Sequence, residues 1–104
     1  MVLGHERCGA VTATYDAYVS RSKIEGYIGS IVESINPAVK AALAHGAKGT
    51  NAEIIDQCTR ENIRMVAQQL ESQSTIIKEE VHKGSLQLVK AYYDLDNGKV
   101  SILK

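Results

Sequence analysis

The apolar residues between Lys23 and Ile35 recur with the spacing of one face of an α-helix. They are Ile24, Tyr27, Ile28, Ile31, Val32 and Ile35. Asn36-Pro37 follows, and Asn is a favoured N-cap while Pro is a favoured first helical residue. We therefore predict one helix over Lys23–Ile35 and a second over Pro37–His45, which Gly46 ends with a left-handed C-cap.

Three further segments are typical of helices. An Ala- and Thr-rich stretch predicts a helix over Gly9–Val19. Asn51 is placed to cap the longest helix, Ala52–Ser72, whose apolar residues again follow the helical period. Ser74 then precedes a short helix, Thr75–Lys83, and the next residue is a glycine suited to end it.

The apolar period changes from helical to alternating after Gly84, and this predicts an extended segment from Leu86 to Tyr93. Asp96-Asn97-Gly98 is a signal for a two-residue β-hairpin turn, with Val100–Leu103 as the returning strand. Val2-Leu3 is a strand stub. The order predicts an α/β fold, with a small sheet of stub and C-terminal hairpin covered by four or five helices. We expect the strand that pairs with the stub to be absent or to come from another chain.

Length and composition narrow the class of protein. The 104 residues suffice for one domain, 1–104, and Lys plus Arg equals Asp plus Glu at 12 each. Zero net charge argues against nucleic acid or an anionic membrane as a partner. No apolar run is long enough to cross a bilayer. Two cysteines are too few for a disulfide scaffold, which favours a reducing, cytoplasmic location.

His5-x-x-Cys8 is the pair with metal-ligand character, since imidazole and thiolate both bind Zn²⁺. The spacing alone also fits a structural histidine and a small buried thiol. Cys58 lies on the apolar face of its predicted helix, so we interpret it as core packing. His45 and His82 lie near predicted helix C-termini, where a cationic ring suits the helix dipole.

The surroundings of this pair resemble a known family. The run from Val2 to Val11, VLGHERCGAV, is similar to the β-class carbonic anhydrase signature, in which a strand ends in Gly-His-x-x-Cys-Gly-Ala. Tyr93-Asp94-Leu95 followed by Gly98-x-Val100 resembles the closing hairpin of that family. Between the two runs, Glu61-Asn62 and Ser74-x-Ile76-Ile77 also fit the usual order, so the resemblance covers essentially the whole chain.

The resemblance implies reversible hydration of CO₂ to bicarbonate at a zinc ion held by two Cys and one His. It makes His5 and Cys8 metal ligands, and the backbone N–H of Gly9 a contact for bicarbonate. The other ligand of the family lies in a Cys-x-Asp-x-Arg segment, which residues 1–104 do not contain. We therefore expect the C-terminal half of the family's domain, with an incomplete zinc site, no catalytic residue of its own and no activity alone.

Two other functions fit the same residues. One is a non-catalytic remnant that acts as an oligomeric scaffold, since little charge repulsion opposes self-association at zero net charge. A homo-oligomer is expected in either case, and a symmetric dimer bringing two His5–Cys8 pairs together would close a structural zinc site. Alternatively Cys8, next to a helix N-terminus, is a reactive thiol.

Overall fold

The strands of the chain form one three-stranded sheet that sits beside four helices. A computed structural model describes all residues, 1–104. The elements in chain order are β1 Val2–His5, α1 Gly9–Ser20, α2 Gly26–Ala44, α3 Asn51–Gln73, α4 Thr75–Lys83, β2 Lys90–Tyr93 and β3 Val100–Leu103. The predicted α/β class, with a small sheet and helices against it, is confirmed.

No helix is both long and apolar enough to cross a membrane.

The strand order in the sheet is β1-β2-β3, so the N-terminal stub pairs within the chain. β1 runs parallel to β2, with Leu3 opposite Ala91, and β2 runs antiparallel to β3, with Ala91 opposite Ile102. The expectation that the stub has no partner in this chain is therefore wrong. The strand is also longer than the predicted Val2-Leu3, since all four residues from Val2 to His5 are paired, while the other edge of β1 carries no strand.

Helix α3 covers one face of the sheet. A Cβ placed on Gly4 would lie 2.5 Å from the side chain of Ile63, so the glycine lets β1 approach the helix. Tyr92 on the same face is buried, and its hydroxyl donates to the Asp56 carboxylate. The opposite face is largely open, because Leu3 and Ile102 are 52% and 64% exposed.

Helix α2 is continuous where two helices were predicted. Gly26 adopts a left-handed φ of 76°, so the helix begins there rather than at Lys23. Pro37 lies inside the helix, although it has no N–H to donate to the preceding turn. The buried residues on both sides of it share one face: Ile35, Ala38, Val39 and Ala42. Burial of this stripe outweighs one missing hydrogen bond, so Asn36-Pro37 does not begin a new helix.

The core lies where α1, α2 and α3 meet. Its buried members are Val11, Tyr15, Ile35, Val39, Ala42 and Cys58. Cys58 is fully buried, which confirms the packing role predicted for it, and burial raises the pKa of its thiol. Apart from Tyr15, the core therefore consists of small and β-branched side chains.

The predicted helix ends are confirmed for α4 and nearly so for α1. Ser74 caps α4 by accepting from the Ile77 N–H, and Gly84 ends it in a left-handed conformation. The predicted cap of α3 is wrong, because Thr50 rather than Asn51 is the N-cap. Thr50 and Glu53 form a reciprocal capping box, which satisfies two backbone N–H groups where Asn51 would satisfy one.

The C-terminal hairpin is confirmed, but the predicted two-residue turn is wrong. β2 begins at Lys90, so the stretch from Leu86 to Val89 precedes the strand. The connection runs from Asp94 to Lys99 instead of being a two-residue turn. The carboxylate of Asp94 accepts the N–H groups of Asp96 and Asn97, at 2.8 and 3.4 Å, and these bonds stabilise a wider loop.

Candidate metal centre

His5 and Cys8 lie at the two ends of the turn that joins β1 to α1. His5 is the last residue of β1, and Cys8 is the N-cap of α1. This turn lies at the carboxyl end of the parallel strand pair β1 and β2, the edge where open α/β sheets commonly bind ligands. The structure therefore places both predicted metal ligands on one short turn.

The imidazole of His5 is exposed, and one of its nitrogens is already engaged. Nδ1 lies 2.9 Å from the backbone carbonyl oxygen of Glu6. A carbonyl oxygen accepts hydrogen bonds and cannot donate them, so this contact requires the proton on Nδ1. Nε2 is then left with its lone pair, which is the arrangement usual for metal-binding histidines.

The thiol of Cys8 is half-buried and forms no disulfide. Its side chain makes no capping bond to the start of α1. The backbone is held instead, since the N–H and the hydroxyl of Thr12 both donate to the Cys8 carbonyl, at 2.9 and 2.8 Å. The main chain is thus fixed while the sulfur remains available to a ligand.

The donor chemistry fits zinc, but the number of donors is two. One group of three His, Cys, Asp or Glu residues has ligand atoms within 4.8 Å of one another, and it is Glu6, Asp94 and Asp96. Neither His5 nor Cys8 belongs to such a group. Zinc in proteins takes three or four protein ligands. His5 and Cys8 therefore suit two of the ligand positions of a zinc site and leave its other positions unfilled.

The remaining cysteine and histidines lie in other parts of the structure. Cys58 is in the core between the helices. His45 caps the end of α2 and lies 3.7 Å from the Glu61 carboxylate. His82 is in the last turn of α4. None of them joins the turn of His5 and Cys8.

Gly9 is the first residue of α1 and lies in open space. A Cβ placed on it would meet no atom within 4 Å. The first hydrogen bond that closes the helix runs from the Thr12 N–H, so the preceding N–H groups of Gly9, Ala10 and Val11 point out of the helix end. The contact between the Gly9 N–H and bicarbonate stays a prediction.

The pattern of the sequence did not reveal the group of charges that surrounds the turn. The Arg7 guanidinium donates to both carboxylate oxygens of Asp96, at 3.2 and 3.1 Å. These bonds and the opposite charge lower the pKa of Asp96 and raise that of Arg7. The two residues are 89 positions apart, and only the parallel pairing of β1 with β2 brings them together.

Comparison with known proteins agrees with the fold and with the motif. The sequence model of the family described as carbonic anhydrase matches residues 1–100. Carbonic anhydrase 2 of Mycobacterium tuberculosis is 30% identical over 99 residues, which are 95% of this chain and 45% of that protein. A carbonic anhydrase of Mycolicibacterium smegmatis is 28% identical over 102 residues, 98% of this chain and 47% of that protein.

A solved structure shares the fold. The β-carbonic anhydrase CcaA superimposes with a TM-score of 0.71 at 21% identity, over 97% of this chain and 44% of that chain. The chain thus spans less than half the length of each of these three proteins. With the family match over residues 1–100 and the shared fold together, the chain belongs to the carbonic anhydrase family and has the fold of part of its β class.

Proposed function

We propose that residues 1–104 supply the His5 and Cys8 ligands of a zinc site for the reversible hydration of CO₂, and that this chain alone does not catalyse the reaction. The observation that carries the proposal is the single turn between β1 and α1. It holds one imidazole with Nδ1 engaged and one free thiol that makes no capping hydrogen bond. Relatives over 95% and 98% of this chain are named as carbonic anhydrases, which supports the same chemistry.

Each residue has a defined part in this proposal. His5 binds the ion through Nε2, because Nδ1–H is donated to the Glu6 carbonyl. Cys8 binds it through the thiolate. A zinc ion, when bound, is a Lewis acid that makes water a nucleophile near neutral pH. The N–H of Gly9, at the open helix end, donates to a bicarbonate oxygen, which the positive end of the helix dipole also attracts.

The proposed lack of activity follows from the donor count. Catalytic zinc sites hold the ion with three protein ligands and leave one position open. His5 and Cys8 leave two or more positions to water, so the ion is weakly held and its geometry is not fixed. No other His, Cys, Asp or Glu lies with them in a cluster that would complete the set.

The test is metal binding and CO₂ hydration on the purified chain. We expect zinc to bind weakly, and His5→Ala and Cys8→Ser each to abolish binding. His82→Ala is the matched control, since His82 is exposed in the last turn of α4. Stopped-flow CO₂ hydration should not exceed the buffer rate. Zinc binding that survives both substitutions would refute the metal site, and hydration by the unmodified chain would refute the inactivity.

A second candidate, an oligomeric scaffold, is favoured by exposed apolar side chains. Tyr27 and Ile28 on α2 are 94% and 61% exposed, and Ile102 on the open sheet face is 64% exposed. Large exposed apolar patches commonly mark protein interfaces. We infer a homo-oligomer, dimer or higher, and light scattering after size exclusion measures it. A monomer at all concentrations would exclude this candidate.

A third candidate, the reactive thiol, has a direct test. Cys8 is half-buried while Cys58 is fully buried, so the two cysteines serve as a matched pair within one molecule. Mass spectrometry after brief alkylation of the metal-free chain should show modification at Cys8 before Cys58. An unmodified Cys8 would end this candidate.

The cytoplasmic location stays a prediction from the cysteine content.

A further inference from the structure

The turn between His5 and Cys8 contains a residue in a rarely populated conformation. Arg7 has a φ of 51°, in the left-handed region that side chains other than glycine seldom adopt. Such a conformation persists only where the surrounding structure holds it. Because the two proposed ligands flank this residue, whatever holds Arg7 also sets the distance and direction between them.

The loop that joins β2 to β3 holds the turn from one side. The guanidinium of Arg7 donates two bonds to the two oxygens of the Asp96 carboxylate, which fixes orientation as well as distance. The Glu6 N–H donates to the Tyr93 carbonyl at 2.9 Å. The Leu95 N–H donates to the Glu6 carboxylate at 3.0 Å. Both residues of the turn are therefore bound to the end of β2 and the loop after it.

The loop is itself ordered before it reaches the turn. The Asp94 carboxylate accepts the Asp96 N–H at 2.8 Å, and the Asp94 N–H donates to the Lys99 carbonyl at 2.9 Å. These bonds hold the backbone of Asp96 opposite Arg7. The carboxylates of Glu6, Asp94 and Asp96 each accept at least one protein N–H group.

We propose that Asp96 and Arg7 are positioning residues for the metal ligands: the Arg7–Asp96 pair clamps the turn so that His5 and Cys8 face one ion. This inference rests on the proposed zinc site. Both side chains are well exposed, at 60% for Arg7 and 67% for Asp96. Exposed ion pairs contribute little to stability. The clamp therefore orders the turn and adds little to the stability of the fold, and this separates it from a structural ion pair.

The experiment measures zinc affinity by competition with a chelating indicator, and the absorption spectrum of the Co²⁺-loaded chain, for the unmodified chain and four variants. Asp96→Ala and Arg7→Ala each remove one side of the clamp, and the double variant removes both. Asp16→Ala, an exposed acid on α1 outside the turn, removes the same charge and is the control. Outer residues that orient ligands typically change metal affinity about 10–100-fold when removed.

We expect each single variant to bind zinc about tenfold more weakly, with a changed Co²⁺ spectrum and an unchanged unfolding temperature of the metal-free chain. The double variant should bind zinc as tightly as either single variant, because each single substitution already removes the one Arg7–Asp96 interaction. Asp16→Ala should bind zinc like the unmodified chain. Equal weakening by Asp16→Ala, or additive losses in the double variant, would overturn the clamp.

Failure of this inference is distinguishable from failure of the zinc site. If the unmodified chain binds no zinc, the site itself is refuted. If zinc binds, and is lost in His5→Ala and Cys8→Ser but unaffected in Asp96→Ala, the site stands and the clamp is wrong. A lower unfolding temperature of the metal-free Asp96→Ala chain, with zinc affinity unchanged, would show a structural ion pair instead.

Discussion

The two halves of helix α2 have the same apolar pattern and opposite surroundings. Ile35, in the second half, is 8% exposed and belongs to the core with α1 and α3. Ile28, two turns earlier on the same stripe, is 61% exposed, and Tyr27 beside it is 94% exposed. The periodicity therefore indicates which residues form one face, but the cover over that face is present for one half of the helix only.

The largest effect should come from the same substitution in the two halves. Ile35→Ala leaves a cavity in the core, and we expect the free energy of unfolding to fall by about 3 kcal/mol. Ile28→Ala removes a side chain that is already in water, and the change should stay within about 0.5 kcal/mol. Urea unfolding followed by circular dichroism measures both.

The paired comparison has a clear contrary outcome. If Ile28→Ala destabilises the chain as much as Ile35→Ala, the first half of α2 is buried in solution by another copy of the chain. That loss should then diminish on dilution, because the stability of an oligomer depends on protomer concentration. A loss that is independent of concentration would contradict the exposure of Ile28 itself.

The two faces of the sheet offer the same contrast between covered and open. Gly4 faces α3, and a Cβ there would lie 2.5 Å from Ile63. Gly4→Ala should therefore push β1 from the helix and lower the free energy of unfolding by about 2 kcal/mol. Adding Ile63→Val makes room and should recover part of the loss. The matched change on the open face, Ile102→Ala, should cost less than Gly4→Ala.

The periodicity of the sequence predicted helices well where caps and stripe agree, as for α4 between Ser74 and Gly84. It was wrong at Asn36-Pro37, because a local turn signal competed with a buried face that continues through Ala38 and Val39. Propensity describes single residues, while burial depends on what α1 and α3 place beside them. Tertiary contacts decided this position.

The candidate site shows the same limit. His5 and Cys8 could be proposed as ligands from the sequence, because the two residues lie within four residues of one another. Arg7 and Asp96 were not, because their contact spans 89 residues and depends on the register of β1 against β2. A motif of neighbouring residues is visible in the sequence, whereas a contact such as that of Arg7 with Asp96 is set by the fold.

A smaller effect is expected at the covered face of the sheet, at Tyr92. Its hydroxyl donates to Asp56, while Arg60 lies over the ring at 4.2 Å and pairs with the same carboxylate. Tyr92→Phe should lower the free energy of unfolding by about 1.5 kcal/mol at neutral pH, since one buried hydrogen bond is lost. Asp56 keeps Arg60 as a partner, which limits the loss.

The same residue predicts a pH dependence. Burial, followed by the bond to Asp56, raises the pKa of Tyr92 well above its ordinary value. The folded state thus holds the phenolic proton more tightly than the unfolded state. Its contribution is fully present below the unfolded pKa of about 10 and is lost as pH rises above it. Tyr92→Phe should remove this part of the alkaline loss, and an identical alkaline profile in both proteins would contradict it.

The smallest effect is expected between the two halves of α2, at Pro37. Proline leaves the Glu33 carbonyl without its helical donor, and Pro37 itself is exposed, so Pro37→Ala restores a hydrogen bond without removing packing. Helix propensity makes Ala the more stabilising residue in the folded state. Pro acts in the opposite direction, because it lowers the conformational entropy of the unfolded chain. We expect a net gain of about 1 kcal/mol, with slower amide exchange from Gly29 to Asn36. Faster amide exchange in this segment, or a lower free energy of unfolding, would contradict the prediction. It would show that Pro37 is needed to orient the exposed first half of the helix.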